Sequence, residues 1–218
     1  MSLSIDLFFI GASILAGTYI FFYKETPFYL KAFLFFLIYT LISELVATWL
    51  VTHGKHNTNL YNIYGVVQLI FYVYLLSNFI QNKRLIKICR IVQFSYLFLA
   101  LMNVLLFQKF SKYNTITYAF GCLIIVALSI FYFFELFKQK KILNLSRESP
   151  FWISTALLFY FSCSFPIIAT VNIIQNVPEL IINSIQTLLL LMNILLYSLF
   201  TIAFLCRIKI RKYILSLL

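Results

Sequence analysis

The chain has 218 residues, is 63% hydrophobic, is charged at only 11% of its positions and carries a net charge of +11. An ordinary water-soluble domain has about 25% charged residues, so that class is excluded. The basic balance needs no nucleic-acid partner, because the cations gather at the ends of apolar stretches, where they set topology and meet anionic lipid.

Seven apolar stretches follow one another: Leu3–Tyr23, Ala32–His53, Leu60–Ile80, Leu85–Phe107, Ile116–Phe137, Phe151–Ile173 and Leu180–Cys206. Each is about 20 residues long, which suits a helix crossing a hydrocarbon core of roughly 30 Å at about 1.5 Å per residue. They use nearly the whole chain and leave short loops with no room for a soluble catalytic or nucleotide-binding module. Residues 1–218 therefore read as a single seven-helix transmembrane domain, an all-α polytopic bundle. Fourteen of the 17 Lys and Arg fall on alternate connections: Lys24 and Lys31; Lys83, Arg84, Lys87 and Arg90; Lys138, Lys140, Lys141 and Arg147; Arg207, Lys209, Arg211 and Lys212. The opposite connections hold Lys55, Lys109 and Lys112. Basic short loops stay in the cytoplasm, which predicts an N-terminus outside, a C-terminus in the cytoplasm and a multi-pass protein of a bacterial inner (cytoplasmic) membrane.

The first stretch has no basic segment before it and no convincing small-residue cleavage site, so it reads as a span rather than a signal peptide. Ser13 and Gly17, four apart, offer a face on which another helix can approach closely. In the second stretch Glu44 lies eight residues before Thr52. That is about 12 Å from the outer end, near the bilayer midplane. A charge at that depth costs roughly 2.5–3.5 kcal/mol on the insertion scale, so the side chain should face protein or water. Thr40, Glu44 and Thr48 share its helix face. No Lys or Arg lies at the same depth in another stretch, which leaves a proton, a neutral polar group or something arriving from outside as its partner.

The third stretch places Tyr61, Gly65, Gln68 and Tyr72 in a stripe about 60° wide, with Asn62 at its outer end. Asn103 lies near the outer end of the fourth. In the fifth, Glu135 precedes Lys138 by three residues and is expected to form an interfacial ion pair. The sixth contains Pro166, which removes a backbone hydrogen bond and should kink the helix, and ends near Asn172. The seventh carries Asn183, Gln186, Asn193 and Tyr197 within about 80°. Any one Asn or Gln is accounted for by an interhelical bond contributing about 0.6 kcal/mol. Gathered in the outward half around Glu44, they predict an outward-facing polar cavity. Its expected ligand-binding residues are Glu44, Asn62, Gln68, Asn183, Gln186 and Asn193.

Several chemistries drop out. A retinal pigment needs a Lys in the last span, and Leu180–Cys206 has none. Seven-helix zinc hydrolases use three His, whereas this chain has His53 and His56 only, both at the outer rim. No nucleophile elbow, zincin, P-loop or dinucleotide signature is present. Cys89, Cys122, Cys163 and Cys206 match no metal spacing and read as packing residues without disulfides. No catalytic residue, metal or cofactor is expected, and the chain is read as not an enzyme. Small sugar uniporters share the helix number, as two three-helix repeats around a linker, and Asn62 and Asn193 could serve as paired pocket asparagines. Only Pro166 lies within a span here, however, and no internal repeat is legible.

The run Asn59-Leu60-Tyr61-Asn62-Ile63-Tyr64, the later Phe151-Trp152-Ile153, and Leu196-Tyr197-Ser198-Leu199-Phe200 with Ala203-Phe204-Leu205 resemble a recurring group of uncharacterised bacterial seven-helix integral membrane proteins. The resemblance spans the full length and implies a sensory or accessory role, since such proteins are often encoded near sensor kinases. It brings no catalytic residues. The reading from sequence is a non-enzymatic, receptor-like membrane protein. A small polar or cationic ligand would engage Glu44, and the basic cytoplasmic ends would pass the change to a signalling protein. The alternatives are a facilitator or transporter of a small polar solute or ion, and a structural subunit of a membrane complex. A receptor would keep the apolar inner half closed; a transporter would open it and expose Tyr72, Phe159 and Tyr197.

Overall fold

The computed structural model describes residues 5–22, 26–106, 113–139, 144–171 and 179–215. These form seven α-helices: α1 Ile5–Phe21, α2 Phe28–Thr52, α3 Thr58–Ser77, α4 Lys83–Leu106, α5 Thr115–Lys138, α6 Ser149–Val171 and α7 Glu179–Leu215. A 3-10 turn at Leu145–Arg147 precedes α6, and no strand occurs among the described residues. Six of the helices are long and apolar enough to cross a membrane; α1, with 17 residues, is apolar but shorter. Helix starts are marked by residues that lose nothing there. Pro27 takes the N-cap position of α2 at φ −56°, and Pro150 sits in the first turn of α6, where no backbone donor is required. Gly54 adopts φ 67° in the short turn from α2 to α3, a conformation open to glycine at little cost.

The neighbours form a ring. α1 packs on α2, α2 on α3, α3 on α5, α5 on α6, α6 on α7, and α7 back on α1. Helix α4 stands outside it, packed on α3 and α5. Its inward residues, Cys89, Tyr96, Ala100 and Asn103, are buried at one-helix-face spacing. Replacing α1, α2 and α3 by α5, α6 and α7 leaves this order of neighbours unchanged. In chain order the ring can be divided into two antiparallel three-helix segments, α1–α3 and α5–α7, linked by α4 and meeting where parallel helices pack, at α3–α5 and α1–α7.

Small residues let both seams close. Ser13 Oγ lies 2.7 Å from the Tyr197 carbonyl and 2.9 Å from Thr201 Oγ1. At Gly17 a Cβ would come within 2.9 Å of Leu34 and 3.4 Å of Phe204. The close-approach face expected on the first stretch is therefore occupied by α7 and α2. At the other seam, a Cβ on Gly65 would meet Tyr118 at 3.1 Å, and one on Gly121 would overlap Leu69.

The outside of the bundle is as apolar as its core. Phe28, Phe35, Ile42 and Trp49 are exposed at seven-residue intervals along α2, as are Phe8 and Leu15 on α1. Such continuous apolar surface would aggregate in water and is stable against lipid. Two expectations change in detail. Glu135 does not pair with Lys138: its carboxylate accepts the backbone N–H groups of Gln81 (2.8 Å) and Asn82 (3.2 Å), just before α4 begins. The Lys138 ammonium stands instead over the Phe134 ring at 4.2 Å. Carboxylate and backbone donors meet because the α3–α4 turn passes the end of α5, and unpaired helix-start donors bind anions well. Helix α7 also continues nine residues past Cys206 to Leu215, making it about 55 Å long against a core of roughly 30 Å.

Candidate ligand cavity

At the end of the bundle where α1, α3, α5 and α7 begin, the ring encloses a cavity of about 280 Å³. One water needs about 10–15 Å³ on this measure, so the space suits a small organic molecule or a water cluster. Every ring helix contributes. Asp6 and Ile10 come from α1, Glu44 from α2, and Tyr61, Tyr64 and Gln68 from α3. Tyr118 on α5, Tyr160 on α6, and Asn193 and Tyr197 on α7 complete the wall, with Tyr113 at the start of α5.

Two polar rungs, one turn apart, place the α2–α3 side. Tyr61 donates its hydroxyl to Glu44 Oε2 at 3.0 Å. Below it, the Tyr64 hydroxyl and Thr40 Oγ1 lie 3.2 Å apart. The antiparallel pairing after the Gly54 turn brings residues 40 and 44 opposite 64 and 61. The four-residue spacing on α2 and three-residue spacing on α3 put each pair on facing surfaces. Across the α3–α5 seam, the Tyr118 hydroxyl reaches Gln68 Oε1 at 3.4 Å, a weak bond at that length. Gly65 makes room for the Tyr118 ring. The lining residues include two carboxylates, Asp6 and Glu44, and no Lys, Arg or His among those described.

The cavity has a floor of interlocked rings. Phe33, Tyr72, Phe161, Phe200 and Phe204 are essentially inaccessible. Tyr72 meets Phe161 edge-on with centroids 5.7 Å apart, and Phe33 meets Phe200 at 4.8 Å. These rings come from α2, α3, α6 and α7 and block the ring's axis toward the basic end of the bundle. Phe159, expected from sequence to belong to this inner plug, is 54% exposed on the bundle's outside. Two residues along α6 rotate the side chain by about 200°, and Phe161 is the inward one.

Of the six residues expected to bind ligand, Glu44, Gln68 and Asn193 line the cavity. Asn62 is buried beside it, where its Oδ1 accepts the Asn114 backbone N–H at 2.9 Å. There it joins a polar cluster in which Asn103 Nδ2 donates to Asn114 Oδ1 and, at 2.9 Å, to Thr117 Oγ1. The cluster borders a crevice of about 10 Å³, room for one water. Asn183 and Gln186 are exposed on α7 and are not among the cavity's lining residues. α7 overhangs here: Ser13 of α1 is level with Tyr197, so residues 183–186 lie beyond the first turn of α1. Asn172 lies outside the described residues. Sequence reasoning missed the tyrosines at 64, 118 and 160. Tyr64 lies three residues from Tyr61 on α3 and so shares its helix face, a spacing that was the available signal; Tyr118 and Tyr160 carry no comparable one. His53 Nδ1 is 2.8 Å from the Trp49 carbonyl, and no group of three metal-ligating side chains assembles among the described residues.

The chain matches no family model, no curated protein and no solved structure.

Proposed function

We propose that this chain is a non-enzymatic, receptor-like protein of a bacterial inner membrane, in which all seven helices span and the cavity faces outward. The observation that carries this reading is the cavity around Glu44, walled by all six ring helices and floored by packed aromatic rings. A ligand there touches both three-helix halves and both seams. Binding energy can therefore shift one half against the other by small amounts while the floor stays shut. The outward orientation follows from the charge pattern. Lys83, Arg84, Lys87 and Lys138 lie at the end opposite the cavity, and basic ends stay cytoplasmic. The same basic end, including the long extension of α7, is the surface proposed to meet a cytoplasmic signalling protein.

One observation favours the second reading, a facilitator of a small polar solute or ion. Two three-helix segments that share the walls of one site make a layout that can also serve a carrier which rocks between states. The two readings differ at the floor. Single cysteines at Tyr72, Phe161 and Tyr197, probed with an impermeant reagent from the basic side, should stay unreactive with or without solute in a receptor. Solute-dependent labelling at all three, together with solute flux in liposomes, replaces the receptor reading with the facilitator.

A further inference from the structure

We propose that the cavity selects a small organic ammonium ion, bound between the carboxylates of Glu44 and Asp6 and the rings of its tyrosines. The inference rests on the reading of the cavity as a ligand site, and holds for receptor and facilitator alike.

Charge gives the sign. The lining side chains that can carry charge of either sign at neutral pH, Asp6 and Glu44, are both carboxylic acids, and no basic side chain stands among the described lining residues. In surroundings of low polarity that attraction is stronger than in water. Hydrogen bonding leaves the carboxylate available: among the described residues, Glu44 is bonded through Oε2 to Tyr61. A carboxylate offers about four acceptor positions, so Oε1 remains for an N–H donor or a cationic methyl shell.

The walls distinguish between cations. Tyr61, Tyr64, Tyr118, Tyr160 and Tyr197 all border the space. Aromatic faces attract weakly hydrated organic cations within about 6 Å of the ring centre. A hard inorganic ion instead requires a close cage of about 6–8 oxygens, which ring-lined walls do not supply. The same tyrosines argue against a polyol. Three of their hydroxyls are engaged within the protein, Tyr61 with Glu44, Tyr64 with Thr40 and Tyr118 with Gln68. A sugar would find those groups already paired, whereas a cation uses ring surface that the hydrogen bonds leave free.

The test is calorimetric titration of the full chain in lipid nanodiscs. The cations are methylammonium, tetramethylammonium, choline and benzylamine. Their neutral counterparts are 3,3-dimethylbutan-1-ol for choline and benzyl alcohol for benzylamine. At least one ammonium ion should bind saturably, about ten-fold or more tighter than its neutral counterpart. Glu44→Gln and Tyr160→Leu should each weaken it by about ten-fold, while Tyr160→Phe, which keeps the ring, should not. Asp6→Asn at the cavity's mouth provides a second charge variant should Glu44→Gln lower the melting temperature. Neutral probes binding as tightly as the cations overturn the ammonium inference and leave the cavity reading standing. Ammonium binding that is indifferent to both Glu44→Gln and Asp6→Asn overturns it as well. Absence of binding by every probe, charged or neutral, overturns both.

Discussion

A carboxylate on an apolar helix must be satisfied locally, and Glu44 is: Tyr61 donates to it from the facing helix. That single pair explains why Glu44 is tolerated and leaves most of its acceptor capacity unused. Amides show the opposite economy. Asn62, Asn103 and Asn114 are spent on one another and on Thr117, so this cluster belongs to stability. Asn103→Ala should leave buried partners unpaired and cost about 1–3 kcal/mol, read as a lower melting temperature in detergent. Asn183→Ala and Gln186→Ala, at exposed positions, should stay within about 0.5 kcal/mol of the parent. A large loss at Gln186 with none at Asn103 would reverse the assignment of roles.

Helices meet closely in lipid only where side chains are small, because apolar surface drives no association there. The α3–α5 seam depends on Gly121, whose missing side chain is filled by Leu69. Gly121→Leu should overpack this contact and destabilise the bundle by about 1–3 kcal/mol. Gly11→Leu, with no atom within 4 Å of its would-be Cβ, should be silent in the same melting experiment. The α3–α4 turn has a comparable dependence on one residue. Glu135→Ala removes the acceptor for two backbone donors at Gln81 and Asn82. It should cost about 1.5–3 kcal/mol as a loss of charge-assisted bonds. Lys138→Ala, which removes only the stacking on Phe134, should cost about 1 kcal/mol or less. Equal losses for both would restore the ion pair expected from sequence.

At the scale of the whole molecule, orientation is the prediction. Single cysteines at Lys55 and Lys112 should react with an impermeant thiol reagent added to intact cells, and those at Lys83, Lys140 and Lys212 should not. The reverse pattern would turn the cavity toward the cytoplasm and remove the basis for an outward receptor. The ring of two halves also makes a mechanical prediction: a disulfide or bifunctional crosslink across the α1–α7 seam, at Ser13 and Thr201, should block any rocking motion. A facilitator would lose flux on crosslinking, whereas ligand binding by a receptor would persist.

The seven helices, the apolar length that lets six of them cross a membrane, and the charge asymmetry along the chain were legible in the sequence, because bilayer thickness imposes a helix length and lipid imposes a composition. So was the need of Glu44 for a polar partner, since a carboxylate on an apolar helix is costly against lipid. The inward direction of each helix was not legible from hydrophobicity. Phe28 and Phe35 face outward while Phe33 and Phe36 face inward, all with the same chemistry, and a solvent as apolar as the core erases the periodic signal. Polar stripes located Glu44, Gln68 and Asn193 but could not separate them from Asn62, which is used in packing, or from Gln186, which overhangs the bundle. Those distinctions depend on which helices are neighbours and at what height. Tertiary structure alone supplied the ring order, the stagger of α7 against α1, and the tyrosines that turn a polar half-bundle into a cage. Contacts between residues some 20 to 190 positions apart settle them, and no local pattern in the chain encodes such contacts.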